Sequence, residues 1–179
     1  MDRENFNTKL HEVCSTDELR PIMMCVHFVN GFAYAADSSI CIKQSLEYHS
    51  IINPESLEGK SIHRDSYKNI MQFEKAECTE EGILCSDPDG RKAFFEYFKR
   101  DGDIPDFDKL FKGFKETKVP FIGMNPKLIN RLSAAMHSID GILRLRFQTL
   151  DKAIFIDCVG IPNQEGILMP ALINDTLFT

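Results

Sequence analysis

Several features are missing from this 179-residue sequence, and each absence narrows the reading. No apolar run approaches the roughly 18–20 residues needed to span a bilayer, and the polar start Met1-Asp2-Arg3-Glu4-Asn5 is not a signal peptide, so no membrane partner is expected. Positive charge is in deficit: 21 Lys+Arg face 27 Asp+Glu, a net charge of −6. A protein gripping nucleic acid with its whole surface is thereby disfavoured, since such affinity comes from Lys and Arg meeting phosphate. None of the six cysteines forms a C-x-x-C pair, and the five histidines show neither H-x-x-x-H nor H-E-x-x-H spacing, so no metal site is expected. A Gly-rich phosphate loop and a G-x-S-x-G elbow are also lacking, and no cofactor is expected.

What is present suits a globular chain: 43% hydrophobic and 27% charged residues at a length fit for one domain or two small ones. Cys25, Cys41 and Cys158 sit among apolar neighbours, as reduced core thiols of a cytoplasmic protein do.

The chain reads as three helix-then-strands units. The first pairs a helical stripe, Phe6, Leu10 and Val13, with strands over 22–29, 32–36 and 40–44. Asn30-Gly31 between the first two strands demands φ > 0 at both positions, the signature of a type I′ hairpin turn. The second unit has a helix over Arg64–Lys75, then strands over 82–86 and 91–98 joined by Asp87-Pro88-Asp89-Gly90. A charged linker with isolated phenylalanines spans Lys99–Lys118. The third unit opens on Val119–Met124 and a helix with Asn125 as N-cap and Pro126 at its first position. Strands follow over 142–147, 153–159 and 166–170. Strands joined by tight turns favour an antiparallel α+β architecture.

Four segments carry a family resemblance. Leu19-Arg20-Pro21 with Val26–Asp37 resembles the domain-opening hairpin of the bacterial DNA polymerase III sliding clamp (beta subunit). Asp103-Ile104-Pro105-Asp106-Phe107 resembles the segment closing a clamp domain. Val119–Ile129 is similar to the helix entry of the final half-domain, and Gly166–Pro170 to the C-terminal strand. The resemblance implies a shortened clamp-like fold, with helices on one face of the sheets. Residues 1–112 would form a clamp-like domain of two units, and 113–179 a third unit. It further implies a non-enzymatic processivity or tethering factor acting in DNA replication or repair, a homo-oligomer working with sequence-independent double-stranded DNA and with a polymerase or other clamp-binding proteins.

The expected DNA-facing residues are Lys9, Arg64, Lys68, Lys75, Lys127 and Arg131, which make the helical segments net positive inside a net-negative chain. Such residues equally suit any solvated helix face. By resemblance, Ile167, Leu168, Met169 and Pro170, with the tail Leu172-Ile173, would lie near a partner-peptide groove; a last core strand has the same composition. Phe98, Phe107, Phe111 and Phe114 either form a second docking surface or pin the linker. Two alternatives stand beside the clamp: a protein-interaction module on the same fold, and a cysteine-dependent hydrolase built on Cys25, His27 and Asp37.

Overall fold

A computed structural model of the chain describes residues 3–99 and 102–172. Three meanders of three strands each form its framework. Unit 1 contributes β1 (Cys25–Val29), β2 (Phe32–Ala36) and β3 (Ile40–Ser45). Unit 2 begins with β4 (Ser61–His63) and α1 (Arg64–Ile70), followed by β5 (Lys75–Cys78), β6 (Gly82–Ser86) and β7 (Lys92–Glu96). Past α2 (Asp108–Phe111), unit 3 comprises α3 (Pro126–Ala135), β8 (Leu143–Arg146), β9 (Ile154–Cys158) and β10 (Gln164–Leu168). The ladders between these strands are antiparallel, while the isolated bridges Glu4↔Lys75 and Ile52↔Glu77 are parallel. The class is α+β, as the tight turns indicate: Asn30 and Gly31 take φ of 54° and 77°, the type I′ combination.

Strand order is β4-β1-β2-β3-β10-β9-β8 in a seven-stranded sheet and β5-β6-β7 in a second. Units 1 and 3 therefore share one sheet, joined at the seam where β3 meets β10 from Gln44↔Gln164 to Ile40↔Leu168. The helices cover one face, and Phe6, Leu10, Phe28, Ile62, Tyr67, Leu132 and Ile156 fill the core between. At Gly166 the helix layer comes closest: a Cβ there would lie 2.8 Å from Met136 Cε. Glycine lets α3 settle directly on β10.

A buried polar network crosses the seam. Gln44 accepts from the Thr8 hydroxyl (2.6 Å) and donates to Ala135 O (3.2 Å) and to the Gln164 carboxamide oxygen. Gln164 in turn accepts from the His137 amide (2.7 Å) and donates to His137 O (2.8 Å). Both side chains are almost fully buried, so these bonds meet a requirement that water cannot meet.

Unit 1 has no α-helix. Residues 5–14, expected as a helix, form only a single 3-10 turn, Leu10–Glu12. The reason lies in its neighbours. The Asn5 carboxamide donates to Ile70 O (2.8 Å) and Phe73 O (2.7 Å) at the end of α1. Lys9 N donates to Ala134 O (3.2 Å) at the end of α3, and Tyr67 Oη donates to Thr8 O (3.0 Å). Residues 5–9 satisfy the last carbonyls of both neighbouring helices, and that geometry is incompatible with a helix of their own. The same contacts explain why α1 stops at Ile70, short of the expected Lys75. Lys75 instead opens β5, a strand that the helix expectation had absorbed.

The linker straps the opposite face of the large sheet. Phe107 stacks on Tyr34 (5.8 Å), Phe114 packs on Phe155 (4.4 Å), and Phe111 meets Phe155 edge-on (6.3 Å). Asp108 accepts from Lys43 Nζ (2.7 Å) and Tyr34 Oη (3.0 Å). The Lys43 bond holds the Asp108 carboxyl below its ordinary range. The isolated phenylalanines thus pin the linker.

Two outcomes are expected. Gln164→Ala strands the His137 amide and the Gln44 carboxamide, and should lower unfolding free energy in urea by about 2–3 kcal/mol. His49, almost fully buried, is pushed down to about 3 by burial. The folded state resists the proton that the unfolded chain accepts, so this contribution is complete above pH 6.5 and lost as pH falls toward 3. His49→Gln should flatten the fall in urea midpoint across that window; His11, shifted downward by burial, keeps a residual slope.

Candidate nucleic-acid interface

The basic residues expected on the helices divide into two groups. Lys9, beside the 3-10 turn, Lys68 in α1 and Lys127 in α3 are exposed, and among the described residues they carry no ion pair. The turn packs against both α1 and α3, so the three ammonium groups belong to one layer. Lys9, Arg64 and Lys68 are close enough to His11 to help depress its pKa, although burial is the larger cause and Glu12 opposes.

Arg64, Lys75 and Arg131 are engaged within the chain. Arg131 makes a 2.6 Å ion pair with Asp37 and donates from Nε to Glu12 O (2.7 Å) and from a terminal nitrogen to Val13 O and Cys14 O (3.3 Å each). Its planar fork thereby fastens α3 to the segment leaving the unit 1 turn. From the other side, Arg64 donates to Ser15 O (3.1 Å). A cavity of about 480 Å³ lies between the two guanidinium groups, lined also by Asp37 and Ser38. Lys75 pairs with Glu4 at 3.0 Å from a strand. Helical spacing had placed these three with the free lysines; what separates them is tertiary, the carbonyls of residues 12–15 and the carboxylates of Asp37 and Glu4.

The groove residues divide as well. Ile167 packs with Tyr34, Phe107 and Phe155 on the strapped face, and Leu168 is in the helix-side core. Both side chains are buried. Pro170 is half-buried, while Met169 and Leu172 are exposed by 45% and 78%. Ile173 lies outside the described residues. Phe98 is half-buried, its ring 6.2 Å from His63.

Nothing in the geometry activates Cys25. Its thiol is buried, and burial pushes it up to about 12. Both nitrogens of His27 have other partners: Nδ1 contacts the Ser61 hydroxyl (2.8 Å) and Nε2 contacts Ile22 O (2.9 Å). Asp37 is committed to Arg131. A hydrolase needs a thiolate within reach of a free imidazole, and this trio supplies neither. No group of three metal-ligating side chains occurs among the described residues, and no helix among them is long and apolar enough to cross a membrane.

If Arg131 is structural, Arg131→Met should cost about 2–3 kcal/mol of stability by stranding Asp37 and three carbonyls, whereas Lys127→Met should stay within about 0.5 kcal/mol. Urea midpoints of the two variants measure the difference.

No family model and no curated protein matches the sequence. Solved structures do match. The Bacillus subtilis DNA polymerase sliding clamp is similar with a TM-score of 0.62 at 12% identity, over 97% of this chain and 66% of the other. The C. crescentus beta sliding clamp gives 0.60 at 12% identity, over 93% and 62%. The DNA polymerase III beta chain of Streptococcus pneumoniae gives 0.57 at 17% identity, over 92% and 62%. The chain spans about 62% of the length of the C. crescentus clamp. Its fold is that of the bacterial DNA polymerase III beta sliding clamps.

Proposed function

We propose that the chain is a non-enzymatic, sliding-clamp-like factor that tethers partner proteins to double-stranded DNA without reading sequence, acting in the cytoplasm as a homo-oligomer. Residues 1–112 serve as one clamp-like domain of two units and residues 113–179 as a third unit. What supports this reading is that Lys9, Lys68 and Lys127 are exposed and without an ion pair among the described residues, on segments of one helix layer in a clamp fold, while Arg64, Lys75 and Arg131 are occupied internally. Three unpaired ammonium groups give weak contact to phosphate. Bulk negative charge elsewhere opposes adhesion of DNA to any other surface. Weak, sequence-blind contact lets a duplex move past the helices; grip comes from topology. The exposed Met169 and Leu172, beyond the end of β10, are where an apolar partner segment docks.

The test compares binding to linear and closed circular duplexes across a salt series. Each lysine–phosphate contact adds about 0.9 to the negative slope of log K against log salt. Replacing Lys9, Lys68 and Lys127 together by Glu should remove about three contacts' worth of slope, uniformly across sequences. An unchanged slope refutes the assigned DNA face. Absence of duplex binding at low salt would instead favour the interaction module.

A further inference from the structure

The two sheets treat their outer faces differently. On the seven-stranded sheet, the apolar residues facing away from the helices, Tyr34, Phe155 and Ile167, are buried beneath the strap. The strap covers them with phenylalanines and fastens itself by a charge pair, Asp108 with Lys43. The second sheet, β5-β6-β7, has apolar side chains on the same face and no such cover among the described residues.

Side chains alternate strictly along these three strands. Ala76, Cys78, Ile83 and Cys85 point to the helix side and are buried. Glu77, Leu84 and Phe94 point the other way and form one row, through the pairings Glu77↔Leu84 and Leu84↔Phe94. Leu84 and Phe94 are exposed by 41% and 47%, and neither joins a buried cluster. The next row is Gly82↔Glu96. A Cβ at Gly82 would lie 2.7 Å from Phe94 Cζ, so the Phe94 ring leans across β6 and widens the apolar strip toward that row.

That end of the strip opens on a cavity of about 570 Å³ whose walls include Phe94, Tyr97, Phe98, Glu80, Glu81 and Glu96. Its charges are only partly balanced. Glu96 is met by Lys99 at 3.7 Å, and the Lys60 ammonium lies 5.4 Å from the Tyr97 ring centre. Glu77, Glu80 and Glu81 are exposed and, among the described residues, carry no ion pair. The Lys60 contact shows that the aromatic wall receives an ammonium group. Beyond the other side of the strip, Lys75 is taken by Glu4.

We propose that this face is a further docking surface, and that its occupant is a segment of a partner protein in which apolar residues adjoin Lys or Arg. The strap supplies the rule by which this chain covers such a face: Phe107 lies on the apolar surface, and the adjoining Asp108 meets a lysine at its margin. Here the margin is acidic, so the covering segment is basic. The face looks away from the helix layer and belongs to a different sheet from the one that Met169 and Leu172 follow, so occupying it leaves both free.

The test contains no DNA, so its outcome is independent of the duplex reading. The full chain is titrated into a fluorescein-labelled peptide carrying a leucine pair followed by an arginine pair, and anisotropy reports the complex. Saturable binding is expected; glutamate in place of arginine should abolish it, and serine in place of leucine should weaken it about tenfold. Phe94→Ser, and separately Glu80→Lys with Glu81→Lys, should each raise the dissociation constant about tenfold. Both alter exposed side chains, and unchanged urea midpoints verify that each variant is folded. Met169→Ser should bind as the parent chain does. Absence of binding at about 1 mM chain, equal binding of the serine peptide, parental affinity in both variants, or a loss in Met169→Ser overturns the proposal. A lower sedimentation mass for Phe94→Ser than for the parent chain would assign the face to a second copy, and overturns it equally.

Discussion

The buried amide pair Gln44–Gln164 is the contact on which the rest of the architecture depends. Directly opposed on β3 and β10, these side chains sit at the centre of the contact between two units that lie far apart in the chain. An apolar pair at the same site would tolerate a slip of the two strands, because apolar contact is indifferent to register. Carboxamides do not: a slip leaves donors and acceptors without partners in a dry interior, at about 1–3 kcal/mol each. Since side-chain orientation alternates along a strand, a one-residue slip would also turn Ile42 and Leu168 out of the helix-side core. The network thus fixes register as well as adhesion. It also satisfies the last carbonyl of α3, tying the helix layer to the seam.

Unit 1 serves the other two units at its own expense. Its helix entry satisfies the C-terminal carbonyls of α1 and α3, through the Asn5 side chain and the Lys9 amide, and a 3-10 turn is what remains. Arg131 then fastens the chain leaving that turn, and Arg64 does so from the opposite side. Two cations that the sequence places on helix surfaces become internal fasteners, and of the six basic residues expected there only three lysines are without an ion pair or backbone partner among the described residues.

Much of the fold was legible in the sequence for local reasons. Asn30-Gly31 and Asn125-Pro126 require particular backbone angles, and the structure has a hairpin and a helix start there. Alternating apolar runs gave the meanders, and the four family-like segments gave the clamp architecture. The errors share one cause, contacts distant in sequence. Residues 5–14 carry a helical stripe, yet their polar groups are claimed by α1 and α3. Lys75 has helical spacing from Arg64 and Lys68, yet the chain turns after Ile70. For the site, residue type told which side chains were basic, whereas only the partners Asp37, Glu4 and the carbonyls of 12–15 told which were free. Ile167 and Leu168 read equally well as groove or core until the strap and the helix layer were seen to cover them.

The continuous sheet across the seam has a mechanical consequence. Were units 1 and 3 joined by the linker alone, the angle between their helix layers would be free to vary. Hydrogen-bonded through β3 and β10, and strapped on the face away from the helices by Phe107 on Tyr34 and Phe114 on Phe155, they form a stiff plate whose bend comes from strand twist, about 20–25° per neighbouring pair. Curvature is then a property encoded in the backbone of the chain itself. Bending stiffness resides in the backbone ladders, which substitutions outside the Gln44–Gln164 seam leave in place.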